Sequence, residues 1–162
     1  MSYKDPVGVD LGIKDLATLS NGIVFPKLID YNPNVKVNYD KLEYHRHRLS
    51  ETQYGSNRQG KIKRAITNLY VKIHNQRLDY LHKVSRELSK YPLVVFENIS
   101  VRKIVKANAH NPKLANKLRY AGWYTLVELT KYKLNDENNL IMKVNPYNTS
   151  KTCNLCHTVN HV

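Results

Sequence analysis

The chain has 162 residues, enough for one domain with a real core, and its 26 Lys and Arg stand against 13 Asp and Glu for a formal net charge of +13. That balance points to a polyanionic partner, nucleic acid first and an anionic membrane surface second. No stretch reaches the apolar length of a transmembrane helix and no export signal opens the chain, so the expected setting is cytoplasmic and nucleoid-associated, with no membrane partner.

The first strand-like segment is Val7 to Leu11, and it carries Asp10 near its end. Leu16 to Ser20 reads as a second strand. Asn21-Gly22 then reads as a type I′ hairpin turn, and Ile23-Val24-Phe25 opens a third strand. Pro26 and the stretch 31–38, with Pro33 inside it, read as loop.

A helical insertion is expected over about residues 40–90. Lys41 to Glu51 forms a first basic helix, and Tyr54-Gly55-Ser56-Asn57 breaks it. From about Gly60 to Lys90 a long helix carries Ile62, Ile66, Leu69, Ile73, Leu81, Val84 and Leu88 near one face. Its other faces carry Lys61, Lys63, Arg64, Lys72, Arg77, Lys83 and Arg86. Such a helix reads equally as an amphipathic helix with a solvated basic face or as a binding surface. The charge distribution favours binding, because residues 41–90 hold 12 basic and 4 acidic residues and residues 101–120 hold six basic and no acidic ones. Arg102, Lys103 and Lys106 lie in the second of these stretches.

Tyr91-Pro92 ends the long helix. Leu93-Val94-Val95-Phe96 is the continuous apolar run of a buried parallel strand, and Glu97 ends it. Asn111-Pro112 starts a further helix, predicted to run to about Leu134 through Gly122, a residue that costs helix stability unless it allows close packing beside Trp123. Asp136 to Asn139 is a turn, and Leu140 to Val144 a last strand. The order β-β-β-α-β-α-β is that of a ribonuclease-H-like α/β domain, a mixed sheet flanked by helices. It is expected over residues 1–148, with a short metal-knuckle segment over 149–162.

Asp10 and Glu97 are the residues with the clearest chemistry. A single Asp at a strand end is most often a turn residue, and a single Glu there a charge at the strand exit. Together, at the ends of two strands that this topology makes parallel neighbours, they can share a divalent ion. Mg²⁺ takes oxygen ligands, and two such ions activate water and stabilise the departing oxygen in phosphodiester cleavage. A two-metal site calls for a third carboxylate, and Asp15, Asp30 and Asp136 all fall in expected turns. Near the C-terminus, Cys153-Asn154-Leu155-Cys156 offers two thiolates at zinc-knuckle spacing. His157 and His161 are poor candidates to complete it, so in this chain the pair reads as unbound or weakly held thiols. Tyr44-His45-Arg46, Arg119-Tyr120 and Lys131-Tyr132-Lys133 interleave aromatic and basic residues, a weak sign of nucleic-acid contact.

Five stretches match one family in order and spacing: residues 8–20 around Asp10, Asn75 to Lys83, Val94 to Ile99 around Glu97, Ala121-Gly122-Trp123, and Ser150 to Cys156. The chain resembles the RuvC-like nuclease region of the TnpB (OrfB) proteins of insertion sequences, relatives of compact type V CRISPR effectors and often called simply transposases. The resemblance implies an RNA-guided DNA endonuclease with guide RNA and DNA as partners. It places the first two catalytic, Mg²⁺-binding carboxylates on Asp10 and Glu97, and the first half of a zinc ribbon on Cys153 and Cys156. It sets the basic helices near backbone and duplex, where base pairing reads the sequence. The departures are a missing N-terminal nucleic-acid-binding domain, second knuckle and third catalytic Asp. Asn98 also stands where Asp is common, and His157 where Gly is common. The expectation is therefore a truncated member that binds nucleic acid and cleaves little or not at all; the alternatives are a non-catalytic nucleic-acid-binding remnant and a decayed reading frame without stable function.

Overall fold

A computed structural model describes residue 3 and residues 5–145. Strands β1 (Val7–Asp10), β2 (Asp15–Leu19) and β3 (Val24–Pro26) form an antiparallel meander. Helices α1 (Leu28–Tyr31), α2 (Pro33–Ser50) and α3 (Asn57–Leu88) follow. Then come β4 (Leu93–Glu97), α4 (Val101–Ala107), α5 (Pro112–Ala121), α6 (Trp123–Asp136) and β5 (Leu140–Val144). The sheet order is β3-β2-β1-β4-β5, with β1 parallel to β4 and β4 parallel to β5. The expected mixed α/β architecture is what the chain adopts.

Strict alternation along the central strands decides the faces. Val7, Val9, Val94 and Phe96 are buried, together with Ala17 and Leu19 of β2. They form one core with Tyr80, Leu81, Val84 and Leu88 of α3 and Trp123, Leu126, Val127 and Leu134 of α6. Each fully buried aliphatic or aromatic side chain there contributes roughly 1.5–3 kcal/mol of transfer free energy. On the opposite face the register lines up Gly8 with Val95 and Val95 with Met142. That face stays open at the β5 edge, where Leu140 is 66% and Met142 53% exposed.

Polar ties fix the helices onto this core. The Lys133 ammonium, buried in α6, donates to the His82 carbonyl at 2.7 Å and the Ser85 hydroxyl at 2.6 Å on α3. Burial, and then the charge of Arg86, hold its pKa below the ordinary lysine value. The Tyr80 hydroxyl donates to the Pro26 carbonyl at 2.6 Å and its ring stacks on Tyr31, joining α3 to the end of β3. Burial, then Tyr31 and Asp15, push the Tyr80 pKa above the usual phenol value. A raised folded pKa gives stability that is whole below the unfolded value of about 10 and is lost as pH climbs through the folded one. Urea midpoints are therefore expected to fall above about pH 10, and less steeply in Tyr80→Phe, which costs about 1 kcal/mol at neutral pH. An equally steep alkaline fall in the variant would contradict this.

Four sequence expectations need correction. The hairpin after β2 is present, but the turn is not type I′. Among the described non-glycine residues only Asn138 has a positive φ, so Asn21 does not adopt the I′ conformation. Instead Gly22 (φ 87°) donates to the Leu19 carbonyl, and Leu19 donates to that of Ile23, a three-residue loop closed by a glycine bulge. Residues 33–38 are helix, not loop: Pro33 occupies the first turn and the Asn32 side chain accepts from Asn34 N–H at 3.1 Å. Asp15 begins β2 and Asp30 lies in α1, rather than in turns. The helix expected over 111–134 is two helices, because Gly122 takes φ 74°, a left-handed conformation that ends α5 and precedes α6. A Cβ at Gly122 would also stand 2.9 Å from Leu81 Cδ1. The expected knuckle segment, with Cys153, Cys156, His157 and His161, lies outside the described residues.

Candidate functional site

Parallel pairing of β1 with β4 creates the site. The register runs Val7 to Val94, Gly8 to Val95 and Val9 to Phe96, so the next step along both strands sets Asp10 beside Glu97. Their neighbours Val9 and Phe96 point into the core, and alternation turns both carboxylates onto the open face. Both lie at the C-terminal ends of their strands. Asp10 is exposed and Glu97 half-buried. Asp10 also pairs across β2 with Thr18, which is exposed on the same face.

The backbone holds both strand ends in place. Beyond β4, Asn98 N–H donates to the Val144 carbonyl at 2.8 Å and Ile99 N–H to the Glu97 carbonyl at 2.9 Å. Beyond β1, the Gly12 carbonyl accepts from the Trp123 indole N–H at 3.3 Å. That bond ties the loop after Asp10 to the start of α6. Gly12 is required there, since a Cβ would lie 2.9 Å from the Asp15 carbonyl oxygen. The role of Trp123 was not legible beforehand; the signals were its place beside Gly122 and the family-matching stretch Ala121-Gly122-Trp123.

Carboxylate oxygens are the right donors for a hard divalent cation. Among the described residues no group of three or more His, Cys, Asp or Glu side chains comes together to hold a metal. Asp10 and Glu97 are the two carboxylates that the register sets side by side, and they are the described residues that could hold one such ion. They do not make up a two-metal centre.

The basic candidates fall into three sets. On α3 the 3.6-residue period stacks Lys61, Lys72 and Lys83, eleven residues apart, on one stripe, with Arg64 beside it. Lys83 is paired with Asp79 at 2.8 Å. Lys63 and Arg77, fourteen apart, lie on a different stripe. Arg102, Lys103 and Lys106 are exposed on α4, whose Ser100 cap accepts from Lys103 N–H at 3.4 Å. Arg102 follows Glu97 by five positions, at most about 18 Å of chain, so α4 keeps its charges near the carboxylate edge. Val101, Ile104 and Val105 pack α4 onto the core. No helix of the described residues is long and apolar enough to cross a membrane.

Residues 3–108 match the model of the OrfB_IS605 family, described as "Probable transposase". The chain belongs to that family. Residues 123–162 match a second model, "Cas12f1-like, TNB domain". "Putative RNA-guided DNA endonuclease InsQ" of Escherichia coli (strain K12) is 34% identical over 94% of this chain. A "Putative RNA-guided DNA endonuclease" of Streptomyces pristinaespiralis is 31% identical over 94% of it. The chain spans 40% and 37% of the lengths of these two relatives. Among solved structures, a chain of "Cryo-EM structure of the Cas12f1-sgRNA-target DNA complex" aligns with 99% of this chain and 41% of its own, with TM-score 0.59 and 24% identity. That likeness carries the fold.

Proposed function

We propose that this chain carries part of the nuclease centre of an RNA-guided DNA endonuclease of the transposase family, a RuvC-like domain in which Asp10 and Glu97 are the metal-binding carboxylates. The observation that supports it most is the parallel register that brings the two side chains together at one end of the open sheet face. A divalent ion held between them would supply an activated water and neutralise charge at the departing DNA oxygen. The protein's own contribution is placement. Strand ends fix both carboxylates, Trp123 fixes the loop behind Asp10, and the basic residues of α3 and α4 hold the phosphate backbone. Guide RNA and DNA are the proposed partners. In a longer family member Cys153 and Cys156 would supply half of a four-ligand zinc site, whereas in this chain they are expected to be unbound or weakly held thiols.

With only two carboxylates converging among the described residues, the 162-residue chain is expected to bind nucleic acid and to cleave little or none of it. Titration of a labelled oligonucleotide against salt tests the binding. Log affinity should fall linearly with log salt, and Lys61→Ala and Lys72→Ala should each reduce the slope by about 0.9 on duplex DNA. Binding that ignores salt would overturn the nucleic-acid reading. Mg²⁺-dependent cleavage by the purified chain, abolished by Asp10→Ala, would overturn the expected inactivity and leave the site assignment standing.

A further inference from the structure

Helices α2 and α3 form an arm. Helix α3 runs for 32 residues, and over 57–79 it buries only Ile62 and Ile73 before the run from Tyr80 joins the sheet core. One side of this arm carries aromatic rings paired with cations. At the far end Tyr54, in the turn between the helices, is 88% exposed, with the Lys63 ammonium 5.7 Å from its ring centroid. Further in, Tyr70 is 38% exposed, and the Arg46 guanidinium of α2 lies 5.6 Å from its ring centroid and donates to its hydroxyl. Lys63, Tyr70, His74 and Arg77 follow at steps of seven, four and three residues, so they share one stripe of α3. Arg77 contacts His74 at 3.3 Å and lines a cavity of about 430 Å³ whose wall also includes Gly12, two residues after Asp10. From Lys63 to Arg77 the stripe is about 21 Å long.

Resting on the nucleic-acid reading above, we propose that this side of the arm is a track for the unpaired nucleotides of a single strand. Tyr54 and Tyr70 each stack a base, and Lys63, Arg46 and Arg77 hold the phosphates between the arm's tip and the strand end that bears Asp10. A duplex hides its base faces in its own stack and offers a tyrosine ring nothing to lie against. Exposed rings flanked by cations suit single strands for that reason, and they tolerate any sequence. The unpaired nucleotides come from an RNA or from a DNA strand, and the two share this chemistry.

The arm contains its own control. Tyr44 is 57% exposed and pairs with Arg48 at 5.6 Å, yet it stands two residues before Arg46 and so faces away from the track.

Fluorescence anisotropy of the full 162-residue chain with labelled oligo-uridine RNA, oligo-thymidine DNA and a duplex of equal length tests the track. Tyr54→Ala is expected to weaken single-strand binding about five- to a hundredfold, and adding Tyr70→Ala to weaken it further. The double Phe variant should keep wild-type affinity, because it keeps both rings. Duplex affinity, and binding by Tyr44→Ala, should not change. A loss confined to the RNA arm identifies RNA as the strand, and one confined to the DNA arm identifies DNA. Because Tyr54 is almost fully exposed, its variant reads binding even if the Tyr70 variant does not fold. Unchanged single-strand affinity in Tyr54→Ala, equal losses on duplex, or an equal loss in Tyr44→Ala would each overturn the track. A wild-type chain that binds none of the three oligonucleotides would instead bring down the nucleic-acid reading beneath it.

Discussion

Replacing Trp123 by Ala is expected to cost about 3–5 kcal/mol of folding free energy, the range for deleting a large buried aromatic side chain. Trp123 is 6% exposed within the main core, and its loss opens a cavity where the start of α6 meets the core. Against a typical total of about 5–15 kcal/mol, a loss of that size removes a large part of the stability. A urea titration followed by far-UV circular dichroism reads it as a lower midpoint. Trp123→Phe separates two contributions. It keeps most of the apolar volume and loses the indole N–H bond to the Gly12 carbonyl, about 1 kcal/mol, together with a smaller cavity cost than Ala. If Trp123→Ala melts within about 1 kcal/mol of the wild type, the site is a surface position and the packing described here is wrong. The Phe variant matters for function as well, since the bond it loses restrains the loop that follows Asp10.

The second large effect concerns the carboxylates. In a longer family member carrying this domain, Asp10→Asn is expected to lower Mg²⁺-dependent DNA cleavage by at least about a hundredfold. Groups that merely orient a metal ligand cost about 10–100-fold, and a direct ligand costs no less. Glu97→Gln should do the same. The double variant should lose little beyond either single one, because side chains that act as a unit are not additive. Both substitutions are nearly isosteric, and Asp10 is exposed, so folding is preserved and the loss reads chemistry. Separate, multiplying losses would mean that the two residues act on different steps at different places.

How much of this was legible beforehand varies by element, for physical reasons. The placement of the two carboxylates at strand ends was readable because a short apolar strand declares its own direction: Val94 and Phe96 must enter the core, so Glu97 must lie at the rim. The parallel pairing followed from the order of elements rather than from any single residue. The start of α2 was misread because Pro33 signals a loop and a first helical turn equally well. Only the Asn32 side chain, folded back onto Asn34 N–H, decides between them. Helix α4 went unseen because seven residues carry too little period to register, and its apolar positions are satisfied only once Val101, Ile104 and Val105 meet the core. Gly122 was read as a packing glycine inside one helix. It does pack closely on Leu81, but its left-handed backbone also divides α5 from α6. The arm's aromatic side was out of reach, because Tyr54 meets Lys63, and Arg46 meets Tyr70, only after α2 and α3 pair.

On the proposed function, the residues at positions 10 and 97 hold one divalent ion between them. Mn²⁺ titration followed by electron paramagnetic resonance, on the wild-type chain, Asp10→Asn, Glu97→Gln and the double variant, tests it without requiring cleavage. One site is expected in the wild type, lost in each single variant, with the double variant no weaker than either. Mn²⁺ bound with equal affinity by all four proteins would contradict it.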